Sequence, residues 1–227
     1  NFLLFYPIFM SIYWIVGSIY YFFIKEKPFN RSLLVKSEHQ QVEGISFLLA
    51  CYNESETVQD TLSSVLSLEY PEKEIIIIND GSSDNTAEII YDFKKNHDFK
   101  FVDLEVNRGK ANALNEGIKQ ASYEYVMCLD ADTVIDDDAP FYMIEDFKKN
   151  PKLGAVTGNP RIRNKSSILG KIQTIEYASI IGCIKRSQSL AGAINTISGV
   201  FTLFKKSALK DVGYWDTDMI TEDIAVS

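Results

Sequence analysis

Asp130 and Asp132 stand one residue apart at the end of the apolar run Tyr125–Leu129. In extended backbone, side chains two residues apart project to one face, so both carboxylates would lie together. Such a pair repels itself unless a cation joins it, and oxygen ligands of this kind suit Mg2+ or Mn2+, which keep waters and recruit phosphate. Asp136, Asp137 and Asp138 just downstream read as a solvated loop. Two more polar clusters end apolar runs: Ala50-Cys51-Tyr52-Asn53-Glu54 and Asn79-Asp80-Gly81-Ser82. One acidic residue at a strand end is most often a cap or turn former, but three clusters ending three strands point to one shared edge. Arg108-Gly109-Lys110 precedes a helical pattern, where backbone amides and a Lys cation suit a phosphate; the alternative is a basic surface turn. It is not a P-loop, because Leu104 stands where the first glycine is required, and no GxGxxG follows the first strand. Thr221-Glu222-Asp223 reads either as a capped helix start or as a carboxylate general base. His39 and His97 sit in polar stretches and read as solvated.

The elements that must position these residues follow from hydrophobic periodicity. Ile45–Cys51 and Glu74–Asn79 are short runs rich in aliphatic residues, as in strands covered on both faces. Between them Asn53, with Glu56 three residues on, predicts a helix start, and Val58, Leu62, Val65 and Leu66 fall on one helical face. Further strands are predicted at Phe99–Val106, Tyr125–Asp130, Ala155–Gly158 and Thr196–Phe204. Helices are predicted through Ala87, Ile90 and Phe93, at Lys110–Gln120, at Pro140–Lys149 and at Ile168–Lys185. The alternation of strand and helix predicts an α/β fold with a mostly parallel sheet flanked by helices, which binds ligands beyond the carboxyl ends of its strands.

Ahead of this domain, Phe2–Ile24 carries no charged residue. At ~1.5 Å per residue it spans ~34 Å, enough for a bilayer core. Aromatic residues crowd both ends, and Lys25, Lys27, Arg31 and Lys36 all follow, which predicts one transmembrane helix with its N-terminus outside and the remainder on the cytoplasmic face. A signal peptide would place its basic residues first and end at a small-residue cleavage site, and neither is seen. The organisation expected is a transmembrane helix over 2–24, a polar linker over 25–43 and a cytoplasmic domain over 44–227 that is truncated at its C-terminus. Lys and Arg number 23 against 31 Asp and Glu, a net charge of −8 that lacks the footprint of a general nucleic-acid binder. Cys51, Cys128 and Cys183 are widely spaced, which excludes a disulfide framework or zinc site and fits a reducing compartment.

Five elements, in order over about 180 residues, resemble the family-2, GT-A-fold processive glycosyltransferases of membranes, which include cellulose, chitin and hyaluronan synthases. They are Ala50–Glu54, Asn79–Ser83, Asn107–Ala111, Asp130-Ala131-Asp132 and Thr221-Glu222-Asp223. The run from Asn159 to Ser227 is similar to the bacterial branch that polymerises N-acetylglucosamine into β-1,6-linked biofilm exopolysaccharide.

The resemblance implies a GT-A domain. It also implies that Ala50, Tyr52 and Glu54 line a uridine pocket with Tyr52 against the base, that Asp80 hydrogen-bonds the uracil, and that Lys110 lies near the phosphates. Asp130 would sit at the nucleotide, Asp132 would hold Mg2+ or Mn2+, and Asp223 would be the catalytic base with Glu222 beside it. Ser198 and Gly199 fall where relatives contact the acceptor, although Ser198 replaces the Cys of a Phe-x-Cys-Gly motif. The partners implied are UDP-GlcNAc, the growing polysaccharide, the lipid bilayer and a small membrane accessory subunit, with no nucleic acid. The family's Gln-x-x-Arg-Trp motif and later membrane helices are expected beyond Ser227. The activity implied is inverting transfer of N-acetylglucosamine from UDP-GlcNAc. The alternatives are another UDP-sugar, a lipid-linked acceptor, a two-carboxylate glycoside hydrolase and a non-enzymatic scaffold.

Overall fold

Ile75 to Ile78 are 0–4% exposed and form the centre of strand β2 (Lys73–Asp80), which β1 (Ile45–Cys51) and β3 (Lys100–Leu104) flank. The computed structural model describes residues 2–26, 42–130, 133–159, 168–192 and 201–217, together with 194, 197 and 199. The sheet runs β3-β2-β1-β4-β6-β5, with β4 at Tyr125–Asp130, β5 at Ala155–Thr157 and β6 at Phe201–Lys205. The first four strands are mutually parallel, each joined to the next through a helix: α2 (Val58–Leu66), α3 (Thr86–Lys94) and α4 (Lys110–Gln120). Parallel neighbours need such crossovers. β6 joins β4 antiparallel and β5 joins β6 antiparallel, so the sheet is mostly parallel, as expected.

Side chains alternate across the sheet. Phe47, Leu49, Ile75, Ile77, Met127 and Leu129 face one core, which α2 covers with Val58, Leu62 and Val65, and α5 (Ala139–Lys149) with Met143, Ile144 and Phe147. Leu48, Ile76, Ile78, Val126 and Cys128 face the other, covered by Ala113, Leu114 and Ile118 of α4. At ~25 cal/mol per Å2, each such aliphatic side chain contributes about 2 kcal/mol on burial. Gly117 sets the approach of α4, because a Cβ there would lie 2.7 Å from Ile78 Cδ1.

Helix α2 starts later than the sequence suggests. Asn53 has φ 55 and its Oδ1 accepts from Ser83 N–H at 2.8 Å, so its side chain bridges two loops rather than capping the helix. Thr57 occupies the cap position, and its hydroxyl donates to Glu54 at 2.5 Å. The third strand is also shorter than Phe99–Val106, and the last is Phe201–Lys205 rather than Thr196–Phe204.

A separate compact unit comprises residues 1–40 and 159–195. Its α1 (Phe2–Tyr21) continues as a π-helical turn through Glu26, and a helical stretch follows as α6 (Ile168–Tyr177), a π segment (Ala178–Lys185) and α7 (Arg186–Leu190). The segment Phe5–Lys25 is long and apolar enough to cross a membrane, and Phe9, Ile12 and Val16 along it are more than half exposed. Residues 27–41 of the expected linker lie outside the described residues.

Candidate functional site

The ladder registers set the geometry. Ala50 pairs with Ile78 on one side and Asp130 on the other, and Cys51 pairs with Asn79, so the ends of β1, β2 and β4 are level. Beyond them opens a cleft of about 410 Å3. Of the predicted site residues, Ala50, Tyr52, Glu54, Asp80, Lys110 and Asp130 line it together. Gly109, from the turn read as suiting a phosphate, lines it too, as do Cys51 and Asn107, to which the sequence assigned no role. Asp132, Ser198, Glu222 and Asp223 lie outside the described residues.

The turns entering the cleft are tied by side chains. Asn79 Oδ1 accepts from the amide and the hydroxyl of Ser82 at 3.2 and 2.5 Å, while its Nδ2 donates to Asp103 at 2.7 Å. Ser82 Oγ accepts from Asn53 N–H at 3.0 Å, and Thr86 Oγ1 accepts from Glu54 N–H at 2.8 Å. Asp84 accepts from Ser55 N–H at 3.1 Å and from the amide and hydroxyl of Thr86. Desolvation pushes the Asp84 carboxyl up, but these donors outweigh it and hold the group at about 2. Asp84 therefore stays an anion that clamps the turn after β1 to the turn after β2.

Asp80 is 3% exposed, and its Oδ1 accepts from Arg108 N–H at 3.1 Å. That contact draws the β3–α4 turn onto the end of β2, and Gly81 permits it. Its φ is +62, and a Cβ would lie 2.4 Å from Asn107 N. Asn107 Oδ1 accepts from Gly109 N–H at 2.9 Å. Gly109 itself has φ 90 and ψ 158, a conformation essentially confined to glycine. The next residue, Lys110, opens α4 and places Nζ 2.5 Å from Asp130 Oδ1 and 3.3 Å from the Gly199 carbonyl oxygen. Gly199, a predicted acceptor contact, is thus brought to the Lys110 ammonium. Tyr52 is 47% exposed at the rim, a face open to stacking. The Cys51 thiol is pushed up to about 12 by burial and by Glu54, so it packs as a neutral group.

The donor set for a cation is oxygen only. Asp130 supplies a carboxylate to the cleft, and Thr133, which is not in the lining but whose N–H donates to the Asp130 carbonyl at 3.0 Å, has a buried Oγ1 with no hydrogen-bond partner among the described residues. Such oxygens fit a hard divalent ion. Among the described residues no three His, Cys, Asp or Glu side chains group to hold a metal.

Residues 46–213 match the profile described as glycosyl transferase family 2. The chain belongs to this family. Over all 227 residues it is 99% identical to the poly-beta-1,6-N-acetyl-D-glucosamine synthase of Staphylococcus epidermidis and 78% identical to the protein of the same name from Staphylococcus aureus strain COL. The chain spans 55% of the length of both. Among solved structures it is similar to a Pyrobaculum calidifontis mannosyltransferase in complex with GDP-Man and Mn2+, at TM-score 0.68 and 20% identity, over 96% of this chain and 60% of that one. It is also similar to S. aureus TarS 1–349 in complex with UDP-GlcNAc, at TM-score 0.57 and 20% identity, over 81% of this chain and 52% of that one. These likenesses show the GT-A-like fold that the sequence motifs implied.

Proposed function

We propose that this chain is the nucleotide-sugar-binding part of a membrane-bound inverting glycosyltransferase, which transfers N-acetylglucosamine from UDP-GlcNAc to a growing β-1,6-linked poly-N-acetylglucosamine chain of biofilm exopolysaccharide. The observation that carries the reading is the cleft itself: Ala50, Tyr52, Glu54, Asp80, Lys110 and Asp130, from three strand ends and a helix start, line one concavity. Its position beyond the carboxyl ends of a parallel sheet suits a nucleotide. The names of the relatives at 99% and 78% identity support the sugar and the product.

In this reading Tyr52 stacks on the uracil and buried Asp80 accepts from its N–H, with Ala50 and Glu54 completing the nucleoside pocket. Asp130 sits at the nucleotide. Lys110 offsets the charge that develops on the leaving diphosphate, an electrostatic contribution that often dominates such steps. Asp132 would hold a divalent cation, Mg2+ or Mn2+, which when bound supplies further positive charge to the diphosphate. Asp223 removes the proton from the acceptor hydroxyl, which attacks the anomeric carbon from the face opposite UDP; one displacement inverts the α-linked donor to a β-linked product. Glu222, Ser198 and Gly199 orient the acceptor. Helix α1 anchors the enzyme in the cell membrane, and Lys25, Lys27, Arg31 and Lys36 after it place the catalytic domain on the cytoplasmic face, with the N-terminus outside. A small membrane accessory subunit completes the assembly.

The test is UDP release by the full-length enzyme in membranes, with a panel of UDP-sugars, with Mn2+ and with EDTA. Release with UDP-GlcNAc and its loss in EDTA are expected. Release with a different UDP-sugar alone overturns the donor assignment, and hydrolysis without any nucleotide overturns the reaction class.

A further inference from the structure

We propose that Asp103 is a positioning residue for the nucleoside end of the cleft: its carboxylate fixes the side-chain amide of Asn79 and, through Asn79 and Ser82, the loop that carries Tyr52 and Glu54. The inference rests on the reading of the cleft as a nucleotide site.

Cys51, Asn79 and Asp103 stand in one row across β1, β2 and β3, as register partners on neighbouring strands. Asp103 is exposed on the edge strand and is not in the cleft lining, whereas Asn79 is 2% exposed. A buried amide must satisfy both of its ends. The Oδ1 of Asn79 accepts from the Ser82 amide and hydroxyl, and its Nδ2 donates to Asp103 Oδ1 at 2.7 Å. Turned over, the amide would set Nδ2 against the Ser82 N–H and Oδ1 against a carboxylate. Both contacts would then repel, so the anion at position 103 admits one orientation only. Tyr91 of α3 stands beside Asp103: that charge, with desolvation and a hydrogen bond between the two side chains, raises the Tyr91 hydroxyl above its ordinary value. The Tyr91 ring also meets Phe101 edge-on, with centroids 4.8 Å apart, so α3 braces the strand that carries the carboxylate.

The orientation of Asn79 passes on to the cleft. Because Asn79 presents an acceptor, the Ser82 hydroxyl gives its proton to Asn79 and turns its lone pairs to the Asn53 N–H, which donates at 3.0 Å. Every proton in this chain points one way, from Asn53 to Ser82 to Asn79 to Asp103, and donors aligned towards an anion strengthen one another. Asn53 needs that hold, because at φ 55 it occupies the left-handed region, which is costly for a residue with a Cβ. It lies between Tyr52 and Glu54, both of which line the cleft. A carboxylate two strands away thus sets the loop that meets the base, without touching the nucleotide.

The experiment titrates the full-length protein in lipid nanodiscs with UDP and with uridine by calorimetry, alongside thermal melts. Asp103→Ala should weaken both ligands about tenfold, the scale of a hydrogen bond to a charged group. Asn79→Asp sets two carboxylates side by side, which repel, and should weaken both at least as much. Combining Asn79→Asp with Asp103→Asn exchanges the two side chains, so that the amide at 103 donates to the carboxylate at 79, which still accepts from Ser82. Affinity for both ligands should then return to within about twofold of the parent. Phe101→Ala, on the same strand and face, removes the ring contact with Tyr91; it should lower the melting temperature and leave both affinities within about twofold. Parent-like affinities in Asp103→Ala, no recovery in the exchanged pair, or a loss in Phe101→Ala as large as in Asp103→Ala each overturn the inference. Loss of UDP affinity with uridine affinity retained also overturns it, since that places the effect at the phosphates. Absence of UDP and uridine binding by the parent overturns the nucleotide reading itself.

Discussion

Gly81→Ala tests whether the cleft depends on the close approach of the turns after β2 and β3. An alanine at φ +62 costs about 1 kcal/mol in backbone strain. Its Cβ would stand 2.4 Å from Asn107 N and 2.6 Å from the Val106 carbonyl carbon, backbone atoms that no rotamer change can move aside. Relieving that overlap requires a shift of ~1 Å, and overpacking of this kind costs about 1–3 kcal/mol. The combined loss of about 2–4 kcal/mol should lower the melting temperature by ~4–16 °C for a chain of this size. The shift also pulls Arg108 N–H from Asp80 Oδ1, which it meets at 3.1 Å, and carries Lys110 with it. UDP affinity should then fall at least about tenfold, the equivalent of ~1.4 kcal/mol. Gly213→Ala is the matched control: its φ is +87, but nothing lies within 4 Å of a Cβ there and it is not in the cleft lining. Thermal melts and calorimetric titration with UDP read both effects. If Gly81→Ala melts with Gly213→Ala and binds UDP as the parent does, the close approach does not shape the site.

Burial pushes the Glu74 carboxyl up, but Lys100 Nζ at 2.7 Å, Ser46 Oγ at 2.5 Å and Ser122 hold it at about 2, below the ordinary 4.5. A depressed pKa contributes stability that is present above 4.5 and lost as pH falls towards 2. Glu74→Gln should therefore cost about 2 kcal/mol near neutral pH, after allowance for the exposed Lys100, and its melting curve should converge on that of the parent near pH 2; parallel curves across that range would remove the ion pair from the stability account. Lys110→Met should lower affinity for UDP about tenfold while leaving uridine affinity unchanged, read by calorimetry, and equal losses for both ligands would take Lys110 off the phosphates. EDTA should weaken UDP binding and spare uridine, in the same titration. Asp223→Asn should abolish transfer and keep UDP binding; loss of both contradicts its role as the base.

Much of this was legible because the decisive residues end strongly patterned strands. The aliphatic run Ile75–Ile78 reads as a doubly covered strand, and the order β2-β1-β4 then brings Asp80, Ala50 and Asp130 to one edge. Asn53 was misread because a side-chain amide can satisfy a helix start or a neighbouring loop equally well, and only the tertiary fold brings Ser83 to it. The clamping roles of Asn79 and Asp84 are hidden from local sequence for the same reason: their partners Asp103 and Ser55 lie 24 and 29 residues away in the chain. Nor does local sequence foretell that Gly199 meets Lys110, 89 residues earlier.

The charge of the cleft gives a physical reason for a cation in the proposed chemistry. Glu54, Asp80 and Asp130 face it with Lys110 as the one cation among the described lining residues, and that cation is already 2.5 Å from Asp130. A diphosphate entering such a cleft meets a wall that is net negative, and in a site partly withdrawn from water that repulsion is not fully screened. The nucleoside end has no such conflict, since a buried carboxylate is a good acceptor for the N–H edge of a pyrimidine. On the proposed reading, the acidic side chains that would hold the base thus oppose the phosphates. Added positive charge next to Asp130 would relieve that conflict, and on the proposed reading a second carboxylate two residues further along the chain would recruit it.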